Sequence, residues 1–407
     1  MAEVGRSIGR RRSSRRVLAW ALVAVAVLVP GATVGYPAAA HGETARRAAA
    51  PVLPVLPLVS AQVTTQPADG TADVNPTAAV GATVRDGTID TVALTNAAGK
   101  VVAGRLAEDR KSWTTTEPLG YDKTYTWSGT ATGIDGQHRP IAGSFRTLRP
   151  ARLVGGQLNV GDNATYGVAM PIALTFTSPV ADRAAVQRAL SVQTSVPTEG
   201  SWAWLNDSTV HWRPRNYFAP GTRVSVTAKL YGLATGDGGY GREDLTSNFT
   251  IGRSYVLRGD TRTHRLLAFA DGVQVADYPA SYGLDSDPGR VTHSGTHVVM
   301  RKHAVYFMTN PKYDYQNVEA RWAVRISNNG EFTHAAPWSV RQQGNTNVSH
   351  GCVNLAPDNA KAVFDAVLPG DPVEIVGSSQ QLGGRDGDYY DWTVPWEAWL
   401  AKSALPR

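Results

Sequence analysis

The sequence predicts a mainly β protein: two β-sandwiches in tandem, followed by a β-rich third domain with one clear helix. Three observations carry this. Short runs of alternating apolar and polar residues, parted by turn residues, recur from residue 61 to residue 252. The run pattern of residues 61–150 is repeated in residues 151–252. Beyond residue 253, helical periodicity is clear only in residues 357–367.

The chain begins with a basic leader. Residues 1–40 hold Arg6, Arg10, Arg11, Arg12, Arg15 and Arg16 against Glu3, a local charge of +5. The whole chain carries +6, so +1 is left for the other 367 of its 407 residues. No basic stripe remains to track phosphates, which argues against nucleic acid. An uncharged apolar run follows at residues 17–29, and small residues Ala38, Ala39 and Ala40 come after it. Residues 1–40 are therefore expected to act as an export signal or a membrane anchor. This places the protein outside the cytoplasmic membrane, in the cell envelope, touching the membrane only through that segment. Residues 41–60 repeat proline at 51, 54 and 57, which disallows a helix and suits an extended spacer.

In residues 61–150, strands at 91–95 and 100–103 flank the turn Asn96-Ala97-Ala98-Gly99, and a third runs along 121–128. Trp113, Pro118, Tyr121, Thr124 and Phe145 have rough counterparts in Trp212, Pro214, Tyr217, Thr222 and Phe249 of residues 151–252. Both units suit immunoglobulin-like sandwiches. With one cysteine in the chain, neither can hold an inter-sheet disulfide. Trp202, Trp204, Trp212, Tyr217 and Phe218 read as core and packing residues.

The third domain spans residues 253–377. Asp271-Gly272 between two alternating apolar runs signals a hairpin. A polar, aromatic stretch at 309–321 interrupts the strand pattern and is expected to form a lid. Pro357 sits near the first helical position, with Ala360, Val363, Phe364 and Val367 on one face. Residues 378–407 carry Trp392, Trp396 and Trp399, and rings so large are expected to dock on the third domain or on the neighbouring sandwich rather than face water.

The chemistry centres on Cys352. It is the sole cysteine and follows a polar, loop-like run, Gly344-Asn345-Thr346-Asn347-Val348-Ser349-His350-Gly351. A loop thiol with His334 and His350 near in sequence suits a nucleophile served by a base.

Phe332-Thr333-His334-Ala335-Ala336-Pro337-Trp338-Ser339, followed by Ser349-His350-Gly351-Cys352-Val353-Asn354, resembles the signature of L,D-transpeptidases, exported bacterial cysteine enzymes that cross-link peptidoglycan. The resemblance covers roughly the last third of the chain. It implies Cys352 as nucleophile and His334 as base. Because Ala335 follows His334, a backbone carbonyl must orient the ring. The amides of Gly351 and Cys352 are expected to receive the oxyanion. His350 assists there or contacts substrate. Trp338, Ser349 and Asn354 line the substrate site, with Asn354 also able to brace the loop. Some relatives place a lid tyrosine near the oxyanion; the equivalent position here falls on Gln316, with Tyr315 beside it.

The implied reaction needs no cofactor or metal. A tetrapeptide stem acylates the sulfur at the diaminopimelate carbonyl, D-alanine leaves, and an amine of a second stem takes the acyl group. Carbapenems are the implied inhibitors. A carboxypeptidase using water as acceptor remains an alternative. Two further rivals are a zinc enzyme using His293, His297, His303, His334 and His350, and a non-catalytic wall-binding protein.

Overall fold

The computed structural model describes residues 59–385 and 389–406. The expected leader, and the spacer up to residue 58, lie outside the described residues.

The first sandwich sets the sheet Gln62–Gln66, Gly81–Arg85, Ser112–Thr115, Gly104–Leu106 against a sheet built on Gly87–Asn96 and Thr124–Gly133. Strands His138–Pro140 and Gly143–Arg146 both pair with Thr124–Gly133. The second sandwich repeats the first sheet's order with Gly156–Leu158, Ile172–Phe176, Thr209–Pro214 and Gly200–Trp204. The repetition reaches single atoms. In each unit an edge-strand glycine, Gly104 or Gly200, lies so close under the neighbouring strand's Trp113 or Trp212 that a Cβ would overlap the indole. Trp202, Trp204, Trp212 and Phe218 are buried in one core, with Tyr217 packed at its edge.

The catalytic part is one nine-stranded sheet. Its order is Gly295–Val298, Pro372–Val376, Tyr255–Asp260, Arg265–Ala270, Val273–Ser281, Val353–Leu355, Phe332–Ala335, Tyr315–Arg325 and Arg301–Asn310. Asp271-Gly272 turns one hairpin as expected, both residues having positive φ. The helix Pro357–Ala366 covers one face, with Ala360 and Val363 buried. Two shorter helices, Arg183–Arg188 and Trp396–Leu400, stand outside this domain.

The expected lid does not interrupt the sheet. Arg301–Asn310 and Tyr315–Arg325 form one long hairpin, and only a tight 3-10 turn at Pro311–Tyr313 parts them. Most of its side chains are at least partly exposed, so the period-2 signal of a half-buried strand is missing.

The tail takes the second of its two expected sites. Its tryptophans cover the second sandwich. Trp399 Nε1 donates to Ser201 O and Trp392 Nε1 to Ala169 O, while the Arg213 guanidinium lies 4.9–5.1 Å from the centroids of Trp392, Trp396 and Trp399. The catalytic sheet meets the tail at Gly295, where a Cβ would lie 2.7 Å from Thr393. The buried cation supplies the reason: three rings shield a guanidinium that water does not reach.

Candidate active site

The all-buried strand Phe332–Ala335 runs parallel to Val353–Leu355, pairing His334 with Asn354. Side chains two apart on a strand share a face. Cys352, Asn354 and His334 accordingly line one cavity of about 300 Å³.

His334 is buried, and its Nδ1 donates to the carbonyl of Ala335 at 2.8 Å. That bond fixes the tautomer and leaves Nε2 as a lone-pair acceptor. Burial pushes the imidazole pKa down, opposed by the carbonyl. The ring is thus a neutral base at neutral pH.

Cys352 is 9 % exposed, and its thiol donates to Gly330 O at 3.7 Å. Burial pushes it up to about 12; the Phe332 amide opposes this, the Glu331 charge adds to it, and Arg325 opposes it. The resting sulfur is therefore a thiol. Burial disfavours the thiolate at rest, and the imidazole on the same cavity is the base available to take its proton during attack.

The nucleophile's turn is held from behind. Gly351 adopts φ +112°, a conformation side chains resist. Its amide donates to Ser349 Oγ at 3.2 Å, and that hydroxyl donates to Cys352 O at 2.6 Å. Thr292 Oγ1 donates to Gly351 O at 2.8 Å. Arg290 donates to the carbonyls of Val348 and Ser349. Of the two amides expected to take the oxyanion, Gly351 is thus engaged by Ser349 in the resting loop.

Asn354 Nδ2 donates to Ser339 Oγ at 3.1 Å and so braces the strand while lining the cavity. His350 is flanked by Tyr313 and Tyr315, with centroids at 5.0 and 5.3 Å. Burial lowers its pKa, as does Arg290, while Asp287 acts the other way. Tyr315 lines the cavity, and burial together with the Cys352 sulfur raises its phenol. Trp338 is 57 % exposed at the mouth, 6.0 Å from the His334 ring. Ser349 lines the wall.

Sequence reasoning missed several residues here. Met308, Val318 and Val348 complete the lining. Arg290 and Thr292 act through loop carbonyls, which leave no pattern in sequence. Glu331 offered a signal, a carboxylate directly before the buried strand Phe332–Ala335.

The histidines of the zinc alternative fall into separate groups. Nδ1 of His293 and Nδ1 of His297 turn to Glu331, His303 packs on Tyr306, and His334 and His350 are placed as above. Among the described residues no three His, Cys, Asp or Glu side chains converge on a metal position. A more open groove on the second sandwich, lined by Gln193, Arg223 and Asn248 among others, offers neither a thiol nor an imidazole.

A model of the L,D-transpeptidase catalytic domain matches residues 254–375, and a bacterial Ig domain matches residues 71–234. The chain is 49 % identical to L,D-transpeptidase 5 of Mycobacterium tuberculosis (strain ATCC 25618 / H37Rv), over 85 % of this chain and 77 % of the relative. It is 37 % identical to L,D-transpeptidase 2 of Mycobacterium tuberculosis (strain CDC 1551 / Oshkosh), over 86 % of each. A solved L,D-transpeptidase in complex with imipenem is 36 % identical, with a TM-score of 0.48 over 55 % of this chain and 100 % of that one. Because the identity extends over most of the chain and not the catalytic domain alone, this protein belongs to the L,D-transpeptidase family and is an enzyme.

Proposed function

We propose that this enzyme cross-links peptidoglycan stems through a thioester on Cys352, with His334 as the base. The observation that carries the reading is the pairing of His334 and Asn354 on adjacent strands, which puts a neutral imidazole and the buried thiol on one cavity.

In the first half-reaction, Nε2 of His334 takes the thiol proton as the sulfur attacks the diaminopimelate L-centre carbonyl of a donor tetrapeptide. The Cys352 amide, not committed to Ser349, receives the oxyanion first, and the Gly351 amide joins by leaving Ser349 Oγ. His334 returns the proton to the leaving amine, and D-alanine departs. In the second half, His334 deprotonates an acceptor amine that attacks the thioester; an amide forms and the sulfur regains its proton. His350, with Tyr315, contacts substrate at the rim, and Trp338 offers an apolar surface at the mouth. A carbapenem presents a strained amide carbonyl to the same sulfur and acylates it.

The same proposal places the reaction outside the cytoplasmic membrane, with residues 1–34 directing export. Finding mature protein in the cytosol with an intact N-terminus would overturn that placement.

Incubation with purified stem peptides and mass spectrometry tests the chemistry. A cross-linked dimer with loss of D-alanine is expected. Loss of D-alanine without a dimer would reassign the chain to carboxypeptidase activity, and turnover unaffected by Cys352→Ala would overturn the mechanism.

A further inference from the structure

Glu331 is a buried carboxylate that the mechanism above does not use. It is 3 % exposed, and its backbone closes a turn, donating to Ser327 Oγ and accepting from the Ile326 amide. The residues on either side of it touch the sulfur. Gly330 supplies the carbonyl that the thiol donates to, and Phe332 supplies an amide aimed at the sulfur. Its own stem lies beneath the nucleophile's turn, since a Cβ on Gly351 would sit 3.6 Å from Glu331 Cγ.

The carboxylate is tied from the other side. Oε1 accepts from the His293 amide at 2.8 Å and from His293 Nδ1 at 2.9 Å. Oε2 faces Nδ1 of His297 at 3.7 Å, and neither atom has a hydrogen-bond partner. His297 Nε2 lies 2.9 Å from His293 O and must donate, because a carbonyl only accepts. Oε2 rests against His297 without a hydrogen bond, while Oε1 is held twice by His293. Two histidines on one segment thus grip a side chain whose neighbours frame the sulfur.

We propose that Glu331 is a positioning residue for Cys352: gripped by His293 and His297, it holds the Gly330 carbonyl and the Phe332 amide against the sulfur. The role rests on Cys352 being the nucleophile, as proposed above. The carbonyl stabilises the thiol at rest, and the amide stabilises the negative sulfur as it forms, so one anchored segment serves both states. The charged and titratable groups around the sulfur are Glu331, Arg325, Tyr315 and His334. Those around the carboxylate are His293 and His297.

The test compares Glu331→Gln and Glu331→Ala in the full chain. Alkylation of Cys352 by iodoacetamide is followed by intact mass from pH 6 to 10, and acylation by imipenem is followed at pH 7. The alanine variant should acylate about tenfold or more slowly, since a displaced reacting group costs that much. The glutamine variant keeps an oxygen for His293, so it should recover acylation to within about threefold. Its alkylation rate at a given pH should rise, because a negative charge beside the sulfur is gone. Wild-type acylation in the alanine variant would overturn the proposal. So would a glutamine variant with an unmoved alkylation profile, whatever its melting temperature. If the wild type fails to cross-link stem peptides, the transpeptidase reading fails, while the alkylation profiles still decide the role of Glu331.

Discussion

Trp399→Ala probes the tail's grip on the second sandwich. Trp399 has no solvent exposure, donates to Ser201 O at 3.0 Å, and forms one of three ring faces about Arg213. Truncating a buried tryptophan costs about 3–5 kcal/mol. Losing the indole hydrogen bond adds about 1 kcal/mol, and opening one face of a desolvated cation adds about 1 kcal/mol more. These contributions overlap, so a net loss of about 4 kcal/mol is expected. At about 2–4 °C per kcal/mol, the transition containing the second sandwich should fall by about 8–16 °C. Differential scanning calorimetry reads this directly. Acylation of Cys352 by imipenem at 25 °C serves as the control and should keep its rate, because the tail lies outside the cavity. A shift under about 2 °C would refute the argument that the three rings and the arginine form one anchoring cluster.

Other perturbations separate the roles within the domain. His334→Ala should nearly abolish acylation of Cys352 at neutral pH, whereas His350→Ala should retain a measurable rate. Intact-mass time courses decide, and an active His334→Ala beside a dead His350→Ala would reverse the assignment. Ser349→Ala leaves the Gly351 amide and the Cys352 carbonyl without their hydroxyl partner. It should slow acylation about tenfold, corresponding to about 1.4 kcal/mol, and an unchanged rate would remove Ser349 from the loop's support. Asp371 is raised to about 6 by burial, which outweighs the Leu368 amide and Arg253. Its carboxyl binds a proton more tightly when folded, so the stability it contributes is present below its ordinary 3.8 and lost as pH rises through about 6. In urea denaturation, the advantage of wild type over Asp371→Asn should shrink from pH 4 to pH 7; a constant difference would contradict the sign.

Much of this was legible in the sequence because it is local. Asp271-Gly272 demands a particular backbone, and Pro357 followed by one apolar face demands a helix. The expected carbonyl brace of His334 followed from the alanine beside it, and the structure supplies Ala335 O. What stayed hidden depends on distant partners. The hairpin Arg301–Arg325 looked like a break in the sheet because its side chains mostly face solvent and strand alternation fades, yet Met308, Tyr315 and Val318 on it do line the cavity. The tail's destination depends on Arg213, whose burial nothing in its own neighbourhood announces. Glu331 and Arg290 act through backbone carbonyls and amides brought together only by folding. The state of Cys352 escaped for the same reason: a polar loop in sequence became a buried turn, and desolvation outweighed every nearby donor.

The solitary, protonated sulfur changes what a mass measurement on this protein means. With one cysteine in 407 residues, any adduct from a thiol-directed compound reports occupancy of a single position, and no digestion is needed to locate it. Reagents that depend on a ready thiolate meet a neutral, buried group and react slowly. A compound that labels quickly has recruited the imidazole and fitted the cavity. Mixtures can therefore be screened on the intact chain, with labelling speed itself separating molecules that use the enzyme's own chemistry from molecules that are merely electrophilic.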